Sequence, residues 1–304
     1  MACNVVLGNH FQSLKFTLRI LLIIGIAYDS VLTTKDSLKQ VQFIQTLYID
    51  KATDGLKKFI QLKDLYTEKY RSDILKYPAF WNSIRPKTLQ INLQALAIEK
   101  VITRFKKLYP EYKQPSIYFS IGCLNSGGTT TSDEILIGTE IAAADSTVNV
   151  SELSSWHKSV FKANQNVVYL VTHEMVHTQQ KTKDDKNLLG ICLKEGSADF
   201  VAELLLQQPL VSPYIIYGNT NERSLWEKFQ KETNGTNYKD WVYNGTSVEH
   251  ADLGYFMGYA ICKTYYINTS DKKQAIKDII TLNYADSSAT TNFLTMSNYP
   301  NKWQ

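Results

Sequence analysis

The hydrophobic rhythm of the chain changes three times. Near the start, Ile20–Ala27 ("ILLIIGIA") is an uninterrupted apolar run. From about Ser37 to Leu108 apolar residues return every three or four positions. Leu56, Phe59 and Ile60 follow the capping candidates Thr53 and Asp54, while Leu93, Leu96, Val101, Ile102 and Phe105 recur at the same spacing, so several helices are predicted. Pro110 and Pro115 interrupt this pattern. Beyond them lie two short β-prone runs, "SIYFSIG" and "EILIGTEIAAA", bridged by "CLNSGGTTTSD", which reads as a flexible link. Past Asn164 the helical period returns over Val167–Gln180, Leu193–Gln207, Ser224–Glu232 and Leu253–Tyr266. Helices around one small sheet predict an α+β fold, predominantly helical, with no repeat of solenoid length. No linker divides the first helices from the rest. The expected layout is an N-terminal helical region, 28–112, packed on a catalytic domain, 113–304.

The early apolar run is too short to span a bilayer, which takes roughly twenty residues. Lys15 and Arg19 precede it, and Gly25 and Ala27 are the small residues that a signal peptidase needs. This pattern predicts a signal peptide over 1–27, cleaved after Ala27; a buried N-terminal helix is the other reading. The expected location is periplasmic or secreted, with no stable membrane span after cleavage. The hydrophobic content of 44% and charged content of 20% exclude general disorder. A net charge of +4 without any dense basic tract argues against nucleic acid as a partner. Cys3 would leave with the signal peptide. Cys123, Cys192 and Cys262 lack the spacing of a zinc knuckle or redox pair, and either a Cys192–Cys262 bridge or three buried thiols fits them.

The chemistry concentrates in "VTHEMVHTQQ" (171–180). Positions i and i+4 of a helix share a face, so His173 and His177 can offer two imidazole nitrogens to one Zn²⁺. Glu174 lies about 100° further round, within reach of a water on that ion as general base. A histidine six residues after the second would be one source of a third ligand, but position 183 is Lys and position 180 is Gln where that branch has Gly. Instead "LKEGSADFVAELL" follows, with Glu195 and Asp199 again at i and i+4. Glu195 can complete the ligand set, and Asp199 can orient a ligand imidazole. Gly196, Ser197 and Ala198 are small enough to let this helix approach the first closely. Two neutral ligands and one anionic ligand leave a position for water, as catalytic zinc requires. An oxyanion donor is also needed, for which "HADLGYFMGYAICKTYY" offers Tyr255 first, then Tyr259 and His250.

These residues resemble the gluzincin pattern, HExxH with a downstream ExxxD, shared by thermolysin-like and aminopeptidase-like enzymes. More narrowly, "YFSIGCLNSGGTTTSDEILIGTE", "THEMVHTQQ", "LKEGSADF" and "LGYFMGYAI", in this order, resemble predicted bacterial zinc proteases related to gliding-motility lipoproteins. The likeness spans roughly Thr53 to Ile267. It implies a zincin-like fold in which an edge strand near Ile135–Ala143 runs beside the active-site helix and pairs with an extended peptide. It also implies His173, His177 and Glu195 as ligands, Glu174 as base, and a tyrosine about sixty residues beyond the glutamate ligand, which Tyr255 matches. Those relatives carry a lipid-anchoring cysteine after the leader; no cysteine directly follows the apolar run here, which argues for a soluble exported protein.

The expected function is therefore an exported zinc peptidase acting on peptide or protein substrates. The alternative is a non-proteolytic surface or assembly protein that retains the metal site. A third reading is an interaction protein without metal. Subsite preference, endo- or exo-cleavage and oligomeric state are not encoded in any motif of this chain.

Overall fold

The computed structural model describes residues 12–162, 166–181, 187–245 and 248–303. Cys3, Asn164, Lys183 and the first eleven residues of the expected leader lie outside that set. Contacts group the chain into two compact units that interleave along the sequence. The first holds the described residues up to Ile98, together with Pro115–Ser154 and Asn166–Val171. The second holds Glu99–Gln114, the described part of 155–165, and the chain from Thr172 onward.

The first unit starts with α1 (Gln12–Leu32), α2 (Ser37–Leu47), α3 (Asp54–Lys63), α4 (Thr67–Lys76) and α5 (Pro78–Leu89). The apolar run lies within α1, one continuous helix through Ala27 and Tyr28, and buries Ile20, Leu21, Ala27, Tyr28 and Val31. Beyond Ala27, Asp29 takes two hydrogen bonds from Arg85 at 2.7 and 2.8 Å. Thr53 caps α3 through its side chain, as the pattern predicted. The next helix, α6 (Ala95–Leu108), begins in this unit and continues into the second.

Three strands, β1 (Ser116–Ser120), β2 (Gly128–Thr130) and β3 (Glu134–Gly138), form a mixed sheet in the order β1-β3-β2. β3 pairs parallel with β1 (Ile117 opposite Ile135) and antiparallel with β2 (Thr129 opposite Leu136). This corrects two expectations. The run near Ile135 is the central strand, with both backbone edges already paired, so it cannot accept a peptide as an edge strand. It also ends at Gly138 and turns into the short helix α7 (Thr139–Ala142). A Cβ at Gly138 would stand 2.0 Å from the Ser126 carbonyl oxygen, so only glycine fits there. The supposedly flexible link itself contains β2. Ile135, Leu136 and Ile137 are all fully buried, which is why the strand reads as a continuous apolar run.

A buried carboxylate fixes the loop after β1. Glu140 accepts hydrogen bonds from the N–H groups of Gly122 (2.9 and 3.1 Å) and Leu124 (2.8 Å). Cys123 and Leu124 hold left-handed φ values of 54° and 53° between these anchors. The Tyr70 hydroxyl donates to the Ile121 carbonyl, and Tyr48 Oη accepts from the Ile121 N–H. Burial pushes the Glu140 carboxyl up to about 7, against the pull of the backbone donors.

The second unit contains the rest of α6, α8 (Ser155–Lys162), most of α9 (Val167–Gln179), and then α10 (Leu188–Leu206), α11 (Pro213–Phe229), α12 (Leu253–Asn268), α13 (Lys272–Thr281) and α14 (Ser287–Met296). α10 is buried nearly all round and is capped by Asn187, whose side chain accepts from the Gly190 N–H. It crosses α12 with backbone against backbone. A Cβ at Gly258 would meet the Cys192 carbonyl oxygen at 1.7 Å, and one at Gly196 would meet the Tyr259 nitrogen at 2.1 Å. Gly196 thus serves the approach to α12, where the sequence had suggested an approach to α9. α11 starts eleven residues earlier than expected, with Pro213 in its first turn and a kink at Asn221.

Gly258→Ala should destabilise the protein by about 3 kcal/mol, the upper end for overpacking, and thermal denaturation will show it. The Glu140 proton gives a pH signature. An acid whose folded value is raised contributes most stability below its unfolded value of 4.5 and loses it as pH rises towards about 7. Relative to Glu140→Gln, the wild type should therefore lose about 3 kcal/mol of unfolding free energy over that interval, measured by urea titration at both ends.

Candidate metal centre

α9 and α10 bring the predicted chemistry together within the second unit. His173 and His177 lie one turn apart on α9, and Glu195 faces them from α10. The two Nε2 atoms are 3.0 Å apart, and Glu195 Oε2 lies 3.2 Å from His177 Nε2 and 3.6 Å from His173 Nε2. His173, Glu174 and Glu195 are each less than a tenth exposed.

Proton positions follow from the partners. His173 Nδ1 is 2.8 Å from Asp199 Oδ1, a carboxylate that can only accept, so Nδ1 carries the hydrogen. Gln180 Nε2 donates to the Lys194 carbonyl (3.0 Å) and to Ser197 Oγ (2.8 Å). This turns its Oε1 onto His177 Nδ1 at 2.7 Å, which must then be a donor as well. With both hydrogens on Nδ1, the neutral rings direct two Nε2 lone pairs and one carboxylate oxygen at a common point. That arrangement repels itself unless a cation sits among the three atoms. A tetrahedral ion with bonds of about 2.0–2.1 Å would separate its ligand atoms by about 3.3 Å, which these distances bracket. His173, His177 and Glu195 thus form a group able to hold a metal ion.

The local electrostatics agree. Burial disfavours the charged form of both imidazoles, yet the attraction of Asp199 on His173, and of Glu195 on His177, holds both above the ordinary histidine range. Burial alone would raise Glu195, but the pull of the His177 and His173 rings in their charged form holds its carboxyl well below the usual range. The centre is rich in negative charge and draws in positive charge, whether a proton or a metal.

Comparison with known proteins adds a family. The family model described as "Gliding motility protein GldB" matches residues 28–299. The chain belongs to the GldB family. No curated protein and no solved structure matches it.

The remaining predicted residues of this GldB-family protein divide. Asp199 is fully buried and accepts from His173 Nδ1. Glu174 lies close enough to both imidazoles to favour their charged forms. The Tyr255 ring stacks on His173 with centroids 6.3 Å apart, and burial keeps its phenol protonated well above its ordinary value. Tyr259 is directed elsewhere. Its hydroxyl donates to Glu203 at 2.7 Å beside Lys263, which engages the group that would have served as oxyanion donor. His250 stacks on Tyr217 at 3.8 Å and has no ring or hydrogen-bond contact with the ligands. Cys123, Cys192 and Cys262 are buried and none of them is in a disulfide, so the Cys192–Cys262 bridge does not form.

Three participants escaped the sequence reading. Tyr214 donates to Asp199 Oδ2 at 2.9 Å, Tyr243 donates to Glu195 Oε1 at 3.0 Å, and Gln180 holds His177. Gln180 could have been found, since its place three residues after His177 puts it near the ligand face. The two tyrosines arrive from distant segments, and no spacing marks them among nineteen.

Asp199→Asn should weaken metal binding about 10- to 100-fold by disturbing the His173 tautomer. Tyr259→Phe should leave the affinity at the wild-type value. Competition against a chelator measures both.

Proposed function

We propose that the chain is an exported zinc-dependent peptidase of zincin-like build. The observation that carries this reading is the convergence of His173, His177 and Glu195, with Glu174 on the same helix between the two histidines. Two neutral nitrogens and one carboxylate are a ligand set typical of catalytic zinc, with a position left for water. Zinc in this set would supply Lewis acidity and lower the pKa of water towards neutrality. Glu174, buried and about 100° round α9 from His173, would take the proton from the attacking water and pass it to the leaving amine. Tyr255 stays a hydrogen-bond donor at neutral pH and supports the developing oxyanion. Asp199 and Gln180 fix the imidazole rings, which limits the reorganisation needed during the reaction.

Export is supported by the family, whose model is designated a lipoprotein family. Among the described residues no helix is long and apolar enough to cross a membrane. A second reading has its own support: the family is described by gliding motility, which favours a metal-binding surface or assembly component without turnover.

Glu174→Gln should reduce peptide hydrolysis at least about 100-fold while the zinc content stays at the wild-type level. Metal analysis and a peptide-library assay check this together. Hydrolysis by the variant at the wild-type rate rules out Glu174 as the base, whereas a zinc-loaded wild type that cleaves no peptide favours the second reading.

A further inference from the structure

Among the described residues each candidate ligand has a partner on the side away from the common point. His173 has Asp199, His177 has Gln180 and Glu195 has Tyr243. The first two partners are buried, on or beside the ligand helices. Tyr243 differs in both respects. It comes from the segment between α11 and α12, and it is 62% exposed.

The backbone that delivers it is under constraint. Tyr243 and Asp252 hold left-handed φ values of 58° and 60°, conformations that cost a non-glycine residue about 1 kcal/mol or more. A reciprocal clasp maintains them. The Tyr243 N–H donates to Asp252 Oδ1 at 2.7 Å, and the Asp252 N–H donates to Oδ1 of buried Asn244 at 2.8 Å. The Tyr255 ring meets the Tyr243 ring edge-on at 6.2 Å and limits its swing. The strained segment therefore places one hydroxyl on one oxygen of Glu195.

That choice of oxygen matters for a metal ligand. A carboxylate beside a cation can bind through one oxygen or both, and the second mode consumes a coordination position. A hydrogen bond on the outer oxygen draws its lone pair away from the ion and favours the first mode. Glu195 Oε2 faces His173 and His177, while Oε1 is engaged by Tyr243.

We propose that Tyr243 is a positioning residue that keeps Glu195 a one-oxygen ligand, so that the clasped segment between α11 and α12 sets both the affinity and the open position of the metal centre. This inference rests on the metal-binding reading of His173, His177 and Glu195, but not on peptide hydrolysis.

Tyr243→Phe removes the hydroxyl and retains the ring, so the fold should be preserved; circular dichroism checks this. Zinc affinity, measured by chelator competition, should fall about 10- to 100-fold. The cobalt(II)-loaded variant should show weaker visible absorption than cobalt(II)-loaded wild type, because a second carboxylate oxygen raises the coordination number. Asp252→Ala, which opens the clasp but leaves the phenol in the chain, should shift both readouts in the same direction. An unchanged cobalt spectrum in Tyr243→Phe overturns the assignment whatever the affinity does. A wild type that takes up neither zinc nor cobalt overturns the metal reading and this inference together; loss of peptidase activity alone leaves both standing.

Discussion

A carboxylate taken out of water must find hydrogen-bond donors or positive charge, and α10 carries two that are almost wholly enclosed, Glu195 and Asp199. Much of the second unit answers that demand. Asp199 is satisfied by the His173 ring and the Tyr214 hydroxyl, while Glu195 takes the Tyr243 hydroxyl on Oε1 and turns Oε2 towards the two imidazoles. The donors come from α9, α11 and the segment before α12, so three separate stretches of chain converge on one helix. The close crossing of α10 and α12 at Gly196 and Gly258 holds that helix at the depth where its acids lose their water. Charge attraction then converges where the Nε2 lone pairs meet, and the metal-binding capacity is a consequence of how the acids were buried.

The first unit solves the same problem differently. Among the described residues no histidine bonds to Glu140, which is held by backbone N–H groups of the loop after β1. Those donors are fixed to the chain, so the carboxylate shapes the loop instead of presenting itself to a ligand. Its raised proton affinity reflects incomplete compensation for burial. The chemical difference between a structural acid and a ligand acid lies in the neighbours: peptide donors enclose Glu140, whereas imidazoles with free lone pairs leave Glu195 one oxygen to share.

Local periodicity exposed the candidate ligands because helix geometry alone places residues four apart on one face. His173 with His177, and Glu195 with Asp199, needed no knowledge of the fold. Partners whose position depends on tertiary structure were not legible. Tyr243 and Tyr214 meet the site only after α11 and the following segment have folded around it. The role of Ile135–Ile137 was misjudged for a related reason: buried composition reveals that a strand lies inside, but central and edge positions depend on partners, and the short β2, rich in glycine and threonine, carried no apolar signal. Tyr259 illustrates the opposite error. Its spacing suited an oxyanion donor, yet Glu203, one turn beyond Asp199 on α10, engages its hydroxyl.

Phenols recur as donors to acids in the second unit, at Glu203 and Glu222 beside a lysine. Tyr214, Tyr243, Tyr259, Tyr265 and Tyr299 donate to Asp199, Glu195, Glu203, Asp278 and Glu222. Each such contact holds a single charge, where a lysine or arginine in the same place would make two. Mobile ions weaken attraction between opposite charges but have little purchase on a dipole against a charge. Acids fastened by phenols therefore keep their geometry across a wider range of ionic strength than acids fastened by ion pairs alone.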